Sequence, residues 1–117
     1  MRKYAIIHSE LSSIKRVILY APADEGVYLF ISDSREDVGC NADHWFVSVA
    51  DAEREAKEVY GIQQQNWITV EDPWPHCQHD FLRPVRIVGR NIGTPQWGKF
   101  EEYRNGIWVR LILPSRR

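Results

Sequence analysis

Apolar positions gather in short runs toward the two ends of the chain and fall at helical spacing once, between them. Tyr4–His8, Arg16–Ala21 (RVILYA) and Val27–Ser32 (VYLFIS) are rich in β-branched and aromatic residues and predict strands. Pro22 to Gly26 opens with proline and closes with glycine, as a turn does. Both alternating faces of Val27–Ile31 are apolar, which predicts a central strand covered on both sides. Ser32 to Asp43 is polar and reads as a loop, with His44-Trp45-Phe46-Val47 leading out of it.

The helical spacing belongs to Val49, Ala52, Ala56, Val59 and Tyr60. Ser48 is placed to cap the start, with Asp51 three residues on, the spacing of a capping box. Gly61 ends the helix, with Ile62 set for a C-terminal apolar contact. Glu53 and Lys57 fall four apart on the outer face and predict an ion pair there. Trp67–Val70 and Val85–Val88 are further short strands, with Arg90 to Gly98 a loop. Lys99–Arg104 and Ile107–Leu113 flank Asn105-Gly106, the pair a type I′ hairpin turn favours. That register sets Tyr103 against Trp108 and Glu101 against Arg110, and puts Phe100, Val109 and Leu111 on the core side. Strands, one helix, then strands predict a single α+β domain: a mostly antiparallel sheet, the helix of about residues 49–60 packed on it, and a C-terminal β-hairpin.

Composition keeps the chain among globular proteins. Its 117 residues, 44% hydrophobic and 26% charged, suffice for one core. No apolar run reaches the length of a membrane span, and the start is too short in apolar residues for a signal peptide, so a cytoplasmic protein with no membrane partner is expected. Cys40 and Cys77 are the two cysteines, expected as thiols in that compartment. The net charge of −1 argues against a general polyanion binder. It hides an uneven distribution: residues 21–60 carry ten acids to three bases, and residues 81–117 eight bases to two acids. The two blocks are expected to complement one another or to be solvated separately, and a basic binding face is the sharper alternative.

Candidate chemistry is concentrated in Glu71–Arg90. Trp74, His76, Cys77, His79 and Asp80 crowd together there, framed by Pro73, Pro75 and Pro84. If that stretch is extended, Cys77 and His79 point one way and His76 and Asp80 the other. Cys77 and His79 could join Cys40 and His44 as a Cys₂His₂ zinc set, although the spacing matches no standard zinc module. A cysteine nucleophile would need a base from elsewhere, such as His8 or His44. No phosphate-binding loop, dinucleotide fingerprint, GxSxG or HExxH occurs. Arg83, Arg86, Arg90, Lys99, Arg104, Arg110, Arg116 and Arg117 are interleaved with Trp97, Phe100, Tyr103 and Trp108, the mix a single-strand nucleic-acid binder uses. Five tryptophans with surplus tyrosine and arginine are also the composition of protein-interaction hot spots, with Trp74, Trp97 and Arg83 as anchors.

Tyr60-Gly61-Ile62, Trp67, Asp72-Pro73 and Cys77-Gln78-His79-Asp80, with Pro84-Val85-Arg86, resemble a segment of a group of small bacterial proteins. The resemblance covers about residues 44–104. It implies a bacterial, cytoplasmic protein and carries over no activity and no catalytic residue.

These features together predict a non-enzymatic protein-binding or regulatory module, an inhibitor of the immunity or antitoxin kind being one form. Its binding residues would be Trp74, His76, Cys77, His79, Asp80, Arg83 and Trp97, with no cofactor. The alternatives are a zinc protein on Cys40, His44, Cys77 and His79, and a single-strand nucleic-acid binder on the basic aromatic hairpin.

Overall fold

A computed structural model of the protein describes residues 1–112. The chain forms two compact units, Met1–Asp72 and Pro73–Arg117. The fold class is α+β, with two antiparallel sheets in place of one.

The first unit is built on β1 (Arg2–Ile6), β2 (Arg16–Tyr20), β3 (Val27–Ser32), β4 (Ala42–Phe46) and β5 (Ile68–Val70). Their order in the sheet is β4-β3-β2-β1-β5. Helix α1 (Val49–Tyr60) follows β4 and packs on β3 and β4. Register explains the core. Ala5, Val17, Ile31 and Ala42 lie in one cross-strand row and Lys3, Leu19, Leu29 and His44 in the next on the same face. Ala5, Val17, Leu19, Leu29 and Ile31 from those rows are buried together with Ala52 and Ala56 of α1 and Ile62. At the rim Lys3 reaches Glu53 of α1 at 3.4 Å and lies 5.0 Å from the Trp67 ring centre.

The opposite face carries Tyr20, Tyr28 and Trp45 in one row and Tyr4, Ile18 and Phe30 in the next. Ile18 is buried there and the aromatic rings of β1–β3 are half-buried. β3 is thus an interior strand, dry on one face and only half-covered on the other.

Sequence and structure agree on β2, β3 and α1. The Ser48 hydroxyl accepts from the Asp51 N–H at 3.2 Å, and Gly61 takes the left-handed conformation (φ 72°) with its N–H on the Lys57 carbonyl at 3.0 Å. They differ elsewhere: β1 spans Arg2–Ile6, two residues earlier than the predicted Tyr4–His8. β4 occupies part of what reads as loop, because its polar residues sit on an outer strand and need no apolar pattern. The polar stretch before it is tied down by Arg16, whose guanidinium is 1% exposed and donates to the carbonyls of Glu36 at 2.6 Å and Gly39 at 3.2 Å. Glu53 engages Lys3 and Gln64 in place of Lys57, and Asp51 pairs with Arg54 at 2.7 Å.

In the second unit β6 (Val85–Ile87), β7 (Phe100–Arg104) and β8 (Ile107–Leu111) form the sheet in that order. Asn105 and Gly106 both have positive φ (51° and 88°), as a type I′ turn requires, and Tyr103 faces Trp108 as predicted. Leu113, Arg116 and Arg117 lie outside the described residues.

Candidate functional site

The proline-framed segment is folded, not extended, which overturns the alternation predicted for it. The Cys77 N–H donates to the Trp74 carbonyl at 3.0 Å, closing a turn over Pro75 and His76. Proline at the second position and positive φ at the third (68° at His76) are the pattern of a type II turn. Glycine or asparagine is usual at that third position, and a histidine there costs on the order of 1 kcal/mol. Cys77 then bridges Arg86 on the edge of β6, and the Gln78 N–H donates to the Val85 carbonyl at 2.7 Å. Cys77 is buried, His76 and His79 are exposed, and Asp80 is half-buried in a second turn. Phe81 is buried with Val85 and Ile87, so the segment delivers the small core of this unit as well as its polar side chains.

The turn has a further effect. It brings Trp74 onto the hairpin, where its ring lies 5.1 Å from Tyr103 at an interplanar angle of 67°. Tyr103 lies 5.5 Å from Trp108 at the same angle. The three rings form a ladder of edge-to-face contacts, the arrangement aromatic quadrupoles favour. Beneath it the Arg86 guanidinium sits 3.8 Å from the Trp108 ring centre and donates from Nε to Glu101 at 2.6 Å. Cation–π contact and ion pair together fix the guanidinium plane. Trp74 is 38% and Tyr103 39% exposed, so the ladder is ordered yet open to a partner.

Glu101 therefore neutralises Arg86, not the Arg110 set opposite it. The other hairpin face holds a second departure from expectation. Glu102 shares it with Phe100, Val109 and Leu111, and is 5% exposed. Its carboxylate is gripped by Arg83 at 2.6 Å and by Arg104. Arg83 is thus engaged within the unit, and its guanidinium lies 6.0 Å from the Phe81 ring centre. Arg90 donates to the Gln78 side chain at 3.0 Å. Trp97 is 73% exposed in the loop before β7, apart from any ring contact with the ladder among the described residues.

The four residues proposed for zinc are divided between the two units. Cys40 and His44 belong to the first unit, Cys77 and His79 to the second, and no group of three or more His, Cys, Asp or Glu side chains suited to a metal gathers among the described residues. Both cysteines are thiols, Cys40 half-buried and Cys77 buried. His8, the possible distant base, is exposed in the first unit. Three shifted ionisations are found in the first unit, at Arg2, Tyr20 and Tyr60. Burial lowers the Arg2 guanidinium below its ordinary value, partly offset by Asp37 and Asp72. Burial raises the hydroxyls of Tyr20 and Tyr60, with Asp72 and Glu55 adding to it. No helix among the described residues is long and apolar enough to cross a membrane.

The pairing of Tyr103 with Trp108 is readable from Asn105-Gly106. The recruitment of Trp74 is not, because it depends on positive φ at a histidine. Arg86 gives no signal either: only register places it under Trp108. No family model matches the chain, and comparison with curated proteins and with solved structures finds no similar protein.

Proposed function

We propose that the chain is a binding module for a protein partner and that the ladder of Trp74, Tyr103 and Trp108, with Arg86, is its contact surface. The observation that carries this reading is the ladder itself: half-exposed tryptophan and tyrosine around a clamped arginine, the residue types that dominate interface energetics. The rings are already held by one another, so docking orders little that is mobile and the ordering cost of association is small.

The same geometry speaks against the nucleic-acid alternative. Base stacking needs open ring faces. Here edge-to-face packing and Arg86 occupy faces of the rings, and three of the arginines, Arg83, Arg86 and Arg104, are paired with Glu101 or Glu102. The zinc alternative has no cluster of three or more His, Cys, Asp or Glu side chains among the described residues to support it.

The test is capture of a partner from the native host by the wild-type chain and by two variants, Trp74→Ala and Trp108→Ala. Each variant is expected to weaken binding by about 2 kcal/mol or more. Val59→Ala, at an exposed position of α1, is expected to leave it unchanged. Capture unaffected by both ladder variants overturns the surface. Salt-sensitive binding of single-stranded oligonucleotides that needs Lys99 and Arg110 would return the nucleic-acid reading.

A further inference from the structure

The first unit carries a second exposed feature that the ladder does not use. β4 is an outer strand of the five-stranded sheet, and Ala42, Asp43, His44 and Trp45 are all exposed along it. An outer strand presents unpaired backbone N–H and C=O groups, and proteins usually blunt such an edge with lysine, proline or a short strand. β4 is five residues long and has neither lysine nor proline. At its end a groove of about 370 Å³ opens against α1. Trp45 and Val47, 56% and 75% exposed, form one wall. Asp51, Arg54, Glu55 and Glu58, at i, i+3, i+4 and i+7 of the helix, form the other.

Three properties define what fits. The Trp45 indole is pre-set: its Nε1–H donates to the Glu25 carbonyl at 3.0 Å, and the ring covers Gly26 so closely that a Cβ there would stand 2.5 Å from it. The helix wall carries three acids to one base, and that base, Arg54, is held by Asp51, which leaves Glu55 and Glu58 to set the sign. Asp43 adds a further acid on the strand. Edge-to-edge pairing of two copies would bring these acids together and is disfavoured, whereas a basic segment would meet complementary charge.

We propose that the outer edge of β4 accepts an extended basic segment of a partner protein as an added strand, with alternate lysine or arginine side chains turned toward Glu55 and Glu58 and apolar ones against Trp45 and Val47. Backbone pairing supplies affinity and the alternation supplies selectivity, as in strand addition generally. This surface is independent of the ladder, and its test uses different residues and a different probe.

The probes are short synthetic peptides alternating lysine with valine, the same design with glutamate for lysine, and the lysine peptide with a central proline. Each is titrated into the full chain, with amide hydrogen exchange followed at residues 42–46. The lysine peptide is expected to bind and to slow exchange at β4, and the glutamate and proline peptides to bind at least about tenfold more weakly. Glu55→Lys with Glu58→Lys is expected to weaken the lysine peptide by a similar factor, and Trp45→Ala likewise, with circular dichroism confirming that α1 persists. Equal binding of the lysine and glutamate peptides overturns the proposal. So does lysine-peptide binding without slowed exchange at β4, a measurement on the wild-type chain that needs no variant.

Discussion

The two units keep a sheet ordered by different means. The first buries a continuous cluster, with Val17, Leu19, Leu29, Ala52 and Ala56 fully inaccessible between strands and helix. The second is shorter, has no α-helix among its described residues, and buries Cys77, Phe81, Val85 and Ile87. On the sheet face where another apolar residue would be expected it places Glu102, and it closes the gap with Arg83 and Arg104. Its outer face is organised by ring contacts and by Arg86. A short segment has too little apolar area to hold itself by burial alone, so directional contacts take a larger share. Those contacts sit near the surface, which is also what makes them available to a partner.

This contrast can be broken at the core first. Leu29→Ala is expected to cost about 2–5 kcal/mol, because the residue is fully buried and the void cannot close. Denaturant unfolding would read the loss, and hydrogen exchange should place it in β1–β3. A cost well below that range would mean the first core is loosely packed and the contrast overstated.

Next comes the charge-held unit. Glu102→Gln keeps the shape and removes the charge, and is expected to cost about 1–2 kcal/mol. The low end of the buried-pair range applies because Arg83 and Arg104 are 38% and 65% exposed and solvent screens them. Faster amide exchange in β6–β8 is the readout, and high salt should narrow the gap to wild type. No change in exchange would leave the aromatic contacts as the main support of that sheet.

A smaller effect of opposite sign is expected at His76. Glycine tolerates positive φ, so His76→Gly should stabilise the second unit by about 1 kcal/mol or less, while His76→Ala should give no gain. Thermal unfolding of the two variants separates turn geometry from any role of the imidazole.

The smallest expected effect is alkaline. The Tyr60 hydroxyl is raised above 10.0 in the folded chain, so folding favours its protonated form. That contribution is present below pH ~10 and is lost as pH rises through the folded value. Tyr60→Phe should therefore blunt the alkaline fall in stability seen by denaturant titration. An unchanged fall would assign it to other groups, Tyr20 among them.

Legibility followed the range of the interactions involved. α1 was readable from Ser48 to Gly61 because spacing, cap and left-handed stop all lie within the element. β2 and β3 were readable from their composition, and the hairpin from Asn105-Gly106. β4 was not, since an outer strand needs no apolar pattern. Nor were the partners of Glu53, Glu101 and Arg16, all of which lie in other elements. The crowding of Trp74, His76, Cys77, His79 and Asp80 was visible at once, but its meaning was not: the turn at His76 separates those side chains and hands Trp74 to the hairpin.

By itself, then, the sequence determined the α+β class, the helix with its caps, the hairpin register and the uneven charge, because propensity, periodicity and turn chemistry are local. Tertiary structure alone decided that Glu102 is buried between arginines, that Arg86 lies under Trp108, and that an edge strand stands beside an acidic helix wall. Each of those depends on register and packing between elements distant in the chain, and such pairings are selected by the fold as a whole, with no residue pattern to announce them.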